Sequence, residues 1–222
     1  MLFCGYRNRP GALTPQQIKL LLKQIDTHTI LGIRDYAVYA LMYQLGLRVG
    51  EVHGLNLENI DLKKNKISVI GKGNKPRSLH INSELGDILC QYLAVRDQFY
   101  NSWLTEAVFV SKKGNRLAIR TMEDNFKKIL FYAPIRVPFK ITCHTLRHSM
   151  ASHLNDNDVD ILVIQSILGH ASARSTQPYI HPSQDRIRKA MEKLPGVKFV
   201  NELIRKGELE LRFQKSFRPK RE

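Results

Sequence analysis

The chain has 222 residues, 43% of them hydrophobic, enough for one well-packed domain and too apolar for wholesale disorder. Its 35 Lys and Arg against 20 Asp and Glu leave a net charge of +15. That balance suits a polyanionic partner, because each phosphate met by a cation releases condensed counterions. Cys4, Cys90 and Cys143 form no CxxC pair and leave an odd thiol, which argues against a disulfide framework. No uncharged apolar run is long enough to span a bilayer, and the N-terminus lacks a signal peptide's apolar stretch, so a cytoplasmic protein is expected.

Residues 1–13 read as a polar lead-in. Thr14-Pro15-Gln16-Gln17 has the form of a capping box with proline in the first turn, and Ile18, Leu21, Leu22 and Ile25 follow at helical spacing. A second helix is predicted over 33–45, with Tyr36, Ala37, Ala40, Leu41 and Leu45 on its buried stripe. Gly46 stops it, and a short helix begins around Arg48. Residues 66–70 and 77–81, joined by Gly71-Lys-Gly-Asn-Lys-Pro76, read as a β-hairpin. A helix over 83–100 capped by Ser83 follows, then a third strand at Val108-Phe-Val110. Further helices are predicted near 121–132, 143–155, 160–168 and 183–194, with Thr121, Thr142, Asp160 and Ser183 as N-caps. The fold class is therefore α+β, mainly α: a helical domain over 14–196 with a small three-stranded antiparallel sheet, then a basic tail over 197–222.

Four separated segments carry chemistry. Arg48 follows a chain reversal, and Glu51 lies one helical turn on, close enough to orient a guanidinium; an ordinary surface pair has the same spacing. Lys72 and Lys75 sit in the glycine-rich hairpin turn, where solvated lysines are also common. In Thr142-Cys-His144-Thr-Leu-Arg147-His148, His144 and Arg147 are three apart near a helix N-terminus, a place that favours anions. Leu146, Met150 and Leu154 form the opposite, buried face. His144 with His148 has zinc-ligand spacing, perhaps with Cys143 or His153, but no carboxylate or spaced Cys pair stands nearby, so no metal is expected. The last segment runs from Leu168-Gly-His170 to Tyr179, and a tyrosine alone more often packs than reacts.

Taken together, the Arg48 box, Lys72, His144-x-x-Arg147, Leu-Gly-His170 and Tyr179 resemble, in order and rough spacing, the tyrosine recombinases, especially Xer-type enzymes and phage or transposon integrases. The resemblance covers residues 12–194. It implies site-specific DNA strand cleavage and rejoining through a 3′-phosphotyrosine on Tyr179. Arg48, His144, Arg147 and His170 would stand at the phosphate, Lys72 would protonate the leaving oxygen, and Glu51 would orient. Lys75, Arg77, His148 and Arg174 are expected to contact double-stranded DNA. No cofactor is implied, since one phosphoester is exchanged for another. The resemblance also implies a homo-tetramer on DNA joined through the C-terminal helix. The family's separate N-terminal DNA-clamping domain is expected to be absent, since 13 residues precede Thr14. Two other readings stay open: DNA relaxation of the type IB topoisomerase kind, and a non-catalytic DNA-binding regulator.

Overall fold

The computed structural model describes residues 11–71, 76–169 and 184–196. Its first helix, α1 (Pro15–Leu22), starts in the expected capping box: Thr14 Oγ1 accepts from Gln17 N–H at 3.2 Å, and Gln17 Oε1 accepts from Thr14 N–H at 2.9 Å. The second, α2 (Ile30–Gln44), begins three residues earlier than its apolar pattern suggests, because Thr29 Oγ1 accepts from Gly32 N–H at 3.0 Å and caps it there. Every residue from Tyr36 to Leu47 is buried. A helix apolar on all sides belongs at the centre, and α2 is the axis of the domain. The chain leaves it through Gly46 in the left-handed region, φ +61°, where an added Cβ would fall 2.1 Å from Met150 Cε. The short helix α3 (Val49–Gly54) follows at once.

The sheet comprises β1 (Ile60–Asp61), β2 (Lys66–Ile70) and β3 (Pro76–His80), antiparallel in that order, with Ile67 opposite Leu79 and Val69 opposite Arg77. Alternation along β2 buries Ile67 and Val69 and exposes their neighbours. Next come α4 (Ser83–Arg96), α5 (Ile119–Tyr132), α6 (Cys143–Asp156), α7 (Ile161–Leu168) and α8 (Gln184–Glu192). Helices α4 and α6 pack along α2, and α5 closes a further side. Among the described residues, no helix is long and apolar enough to cross a membrane.

The expected fold class holds, with differences of detail. The third strand is β1, not Val108–Val110. Residues 108–110 are fully buried, yet along one edge their backbone groups are taken by side chains: Val108 O accepts from Tyr92 Oη and Arg96 Nε, Val110 N donates to Tyr92 Oη, and Val110 O accepts from Arg34, while Val108 N–H and Phe109 O pair with the backbone of Leu55 and Leu117. Two isolated bridges, Asn56 with Ala107 and Val110 with Arg116, are what remains of pairing there. Asn82, not Ser83, caps α4, its Oδ1 accepting from Leu85 N–H at 2.8 Å. Helix α5 starts two residues before Thr121, after Ala118, with no side-chain cap. Asp160 caps α7 as expected, and Ser183 lies outside the described residues.

Contacts near both limits of the described residues tie them to this body. Leu13 is buried, its N–H donates to Ser149 Oγ at 2.9 Å, and its carbonyl accepts from His153 Nε2 at 2.8 Å. At the other end α8 lies on α7 and β3 and buries Ile187, Ala190, Met191 and Leu194. These apolar residues therefore pack within their own chain here, and Arg186 reaches Asp160 at 3.3 Å.

Candidate active site

The site is built where three helix ends meet: the exit from α2, the start of α6 and the last turn of α7. Arg48 is the N-cap residue of α3, and its backbone N–H donates to Glu51 Oε2 at 2.8 Å. Its guanidinium meets Glu51 Oε1 at 3.2 Å, with the Arg48 side chain 35% exposed and that of Glu51 6%. Glu51 thus meets Arg48 through both its backbone and its guanidinium. A one-turn helix has little stability of its own, and this carboxylate holds its first turn closed.

Helix α6 supplies His144 and Arg147. Thr142 N–H donates to Thr145 Oγ1 at 3.0 Å and starts the helix, while Leu146, Met150 and Leu154 anchor its inner face with no exposure. His144 is exposed in the first turn, whereas Arg147, one turn on, is 3% exposed. Its Nη1 donates to Gly46 O, its Nη2 donates to Leu168 O at 2.6 Å, and Glu51 Oε2 lies 3.8 Å away. One guanidinium therefore fastens the ends of α2 and α7, beside the reversal at Gly46. Burial first, then the Arg48 cation, pushes Arg147 down to about 10, which leaves it charged at neutral pH.

Burial, then Arg147, Arg48 and His148, also lowers the His144 imidazole below the ordinary histidine value. Glu51 moves the same way for other reasons: burial works to raise it, but hydrogen bonds from Arg77 and the Arg48 N–H outweigh that and hold it low. His144 is thus neutral and Glu51 ionised at neutral pH. Arg48, Glu51 and His144 line one cleft of about 1190 Å³, which Lys127 and Lys140 line as well, while Arg147 lies buried behind Glu51. Those two lysines had no local sequence signal, since α5 and the loop after it meet the cleft only in the folded chain.

Arg77 departs from its expected place among the DNA-facing cations. Its side chain is 12% exposed and points inward, Nη1 to Glu51 Oε1 at 2.8 Å, Nη2 to Glu51 Oε2 at 3.0 Å and Nε to Ile167 O at 3.0 Å. Strand alternation was the signal available: Arg77 shares a face with Leu79, which is buried. His148 is exposed and packs beside Gly11. The zinc spacing of His144 and His148 gains nothing from His153, whose nitrogens are engaged by Tyr43 Oη at 2.9 Å and Leu13 O at 2.8 Å. Cys143 is buried, and its thiol is pushed up to about 12 by that burial. Lys72, Lys75, His170, Arg174 and Tyr179 lie outside the described residues.

A helical domain with an edge hairpin and arginines gathered around a buried glutamate beside a cleft is the architecture of a tyrosine recombinase catalytic domain. The chain belongs to the phage integrase family, which it matches over residues 12–186. It is 37% identical over 179 residues to tyrosine recombinase XerD of Lacticaseibacillus casei, an alignment covering 80% of this chain and 60% of that protein. The crystal structure of XerA recombinase superposes with a TM-score of 0.64 at 30% identity, over 84% of this chain and 65% of the other. The XerH site-specific recombinase bound to palindromic difH substrate, a post-cleavage complex, gives 0.64 at 25% identity, over 73% and 47%. The chain spans about three fifths of the length of the XerD relative.

Proposed function

We propose that this chain performs site-specific DNA recombination, cutting and rejoining strands through a 3′-phosphotyrosine on Tyr179. The observation that carries the reading is the gathering of Arg48 and Arg147 around Glu51, with Arg48, Glu51 and His144 lining one cleft. Double-stranded DNA lies across that cleft, and the two guanidiniums take the nonbridging oxygens of the scissile phosphate as charge builds on it. Tyr179 Oη attacks phosphorus, its proton passes to the neutral His144, and the bond from phosphorus to the 5′-oxygen breaks. Lys72 protonates that oxygen, and His170 donates a hydrogen bond to the phosphate. Attack by a 5′-hydroxyl of another strand reverses the step and frees Tyr179. One phosphoester replaces another, so the energy of the bond is conserved without a nucleotide cofactor.

Lys75, His148 and Arg174 extend the backbone contacts, and the reaction takes place in the cytoplasm, where the DNA is. The post-cleavage complex of XerH with difH substrate supports DNA as the partner. Assembly as a homo-tetramer through the C-terminal helix belongs to the same proposal, and it requires α8 to leave the α7 and β3 surface on which its stripe is buried.

The test is incubation of the full chain with a pool of nicked duplexes randomised on either side of the nick, so that the short cleaved strand is lost and the covalent product accumulates. A protein–DNA adduct that survives denaturant, and disappears with Tyr179→Phe while duplex binding persists, is the expected result. An adduct that persists in Tyr179→Phe overturns the nucleophile, and no adduct from any duplex overturns the recombinase reading.

A further inference from the structure

We infer that Arg77 is a positioning residue of the phosphate site: it balances the charge of Glu51 and ties that carboxylate to the end of α7, leaving Arg48 and Arg147 free to neutralise the phosphate. The inference rests on reading Arg48 and Arg147 as the phosphate cations.

Three guanidiniums surround the Glu51 carboxylate, and they do not share it equally. Arg77 takes both oxygens, at 2.8 and 3.0 Å, in a two-pronged contact. The guanidinium of Arg48 has a single contact at 3.2 Å, and Arg147 stands off at 3.8 Å. The strongest partner absorbs most of the carboxylate's charge. Glu51 can then orient Arg48 through geometry while cancelling little of the cation that the phosphate must meet. Without Arg77, the same buried carboxylate would draw its compensation from Arg48 and Arg147, the two groups needed elsewhere.

Arg77 also spans segments that must move as one. It stands at the second position of β3, just after the turn that holds Lys72 in the sequence, and pairs with Val69. Its Nε donates to Ile167 O, and the neighbouring carbonyl, Leu168 O, is taken by Arg147. Two arginines thus satisfy adjacent carbonyls at the end of α7, where the helix favours cations. The chain then turns through Gly169, φ +64°, toward His170. A Cβ on Gly169 would lie 3.1 Å from Arg77 Nη1 and 3.2 Å from its Cδ, so the arginine runs directly beneath the glycine. The glycine of the Leu-Gly-His segment therefore has two reasons: its left-handed backbone, and the guanidinium below it.

The test is a double-mutant cycle in the full chain, with Arg77→Met, Glu51→Gln and both together, read by single-turnover adduct formation on a nicked duplex taken from the pool above. Arg77→Met should slow adduct formation on the order of 10–100-fold, as loss of a supporting partner does, while equilibrium binding to the duplex stays near wild type. The double variant should form adduct faster than Arg77→Met, because removing the carboxylate returns charge to Arg48 and Arg147. A merely structural arginine gives a double variant slower than either single one, and that result overturns the inference, as does a wild-type rate in Arg77→Met. Should Arg77→Met not fold, the cycle run with Arg77→Gln, which removes the charge but keeps a polar side chain, decides in the same way. Absence of adduct from the wild-type chain is a different failure, since it removes the recombinase reading itself.

Discussion

Replacing Arg147 by lysine separates two tasks held by one guanidinium. Arg147 fastens the carbonyls of Gly46 and Leu168 from a site 3% exposed, and the proposed reaction also assigns it to the phosphate. A lysine ammonium on its single stem reaches one of those carbonyls at most, and the other is left buried without a donor, which costs about 1–3 kcal/mol. For a domain of this size that loss lowers Tm by about 2–12 °C. Catalysis should suffer far more, by on the order of a hundredfold or beyond, because the fork that meets a developing oxyanion is gone. Duplex affinity should change little, since the charge is kept. Thermal melts by far-ultraviolet circular dichroism and single-turnover adduct formation measure the two effects independently. A variant that melts with the wild type shows that the two carbonyl contacts are not held, and one that cleaves at the wild-type rate removes Arg147 from the phosphate.

Two further outcomes are expected. His144 should titrate below the ordinary histidine value of about 6.5, because its surroundings penalise the imidazolium; the neutral base is then fully present above that value and is lost only as pH falls through the lowered one. Its ring-proton NMR shift followed against pH checks this, and a midpoint at or above the ordinary value sinks the assignment of His144 as proton acceptor. Gln44 on α2 is 2% exposed, and neither its Nε2 nor its Oε1 has a hydrogen-bond partner among the described residues. Gln44→Met keeps the shape and removes the unpaired amide, so urea unfolding should show a gain of about 1–3 kcal/mol, whereas a loss would mean that the amide is satisfied in solution.

The sequence by itself determined whatever depends on short stretches of chain. The Thr14 capping box, the stop at Gly46, the hairpin, and the placing of His144 and Arg147 one turn apart on a helix all follow from residues within a few positions of one another. The order of the Arg48, His144 and Arg147 segments was equally legible, because the residue types themselves state the need for cations. What each cation does was decided only by tertiary structure. Arg77 reads as one more base in a basic chain until Glu51, 26 residues earlier, meets it; Arg147 finds Gly46 across 101 residues. Val108–Val110 has the composition of a strand, but Tyr92, Arg96 and Arg34 take the backbone groups that a ladder would need along one edge. The apolar stripe of α8 has the same sequence whether it packs on its own α7 or on a neighbour. Backbone preference is a local property of a few residues, whereas the pairing of charges and the choice of a packing partner are set by which distant segments the core brings within a few ångströms.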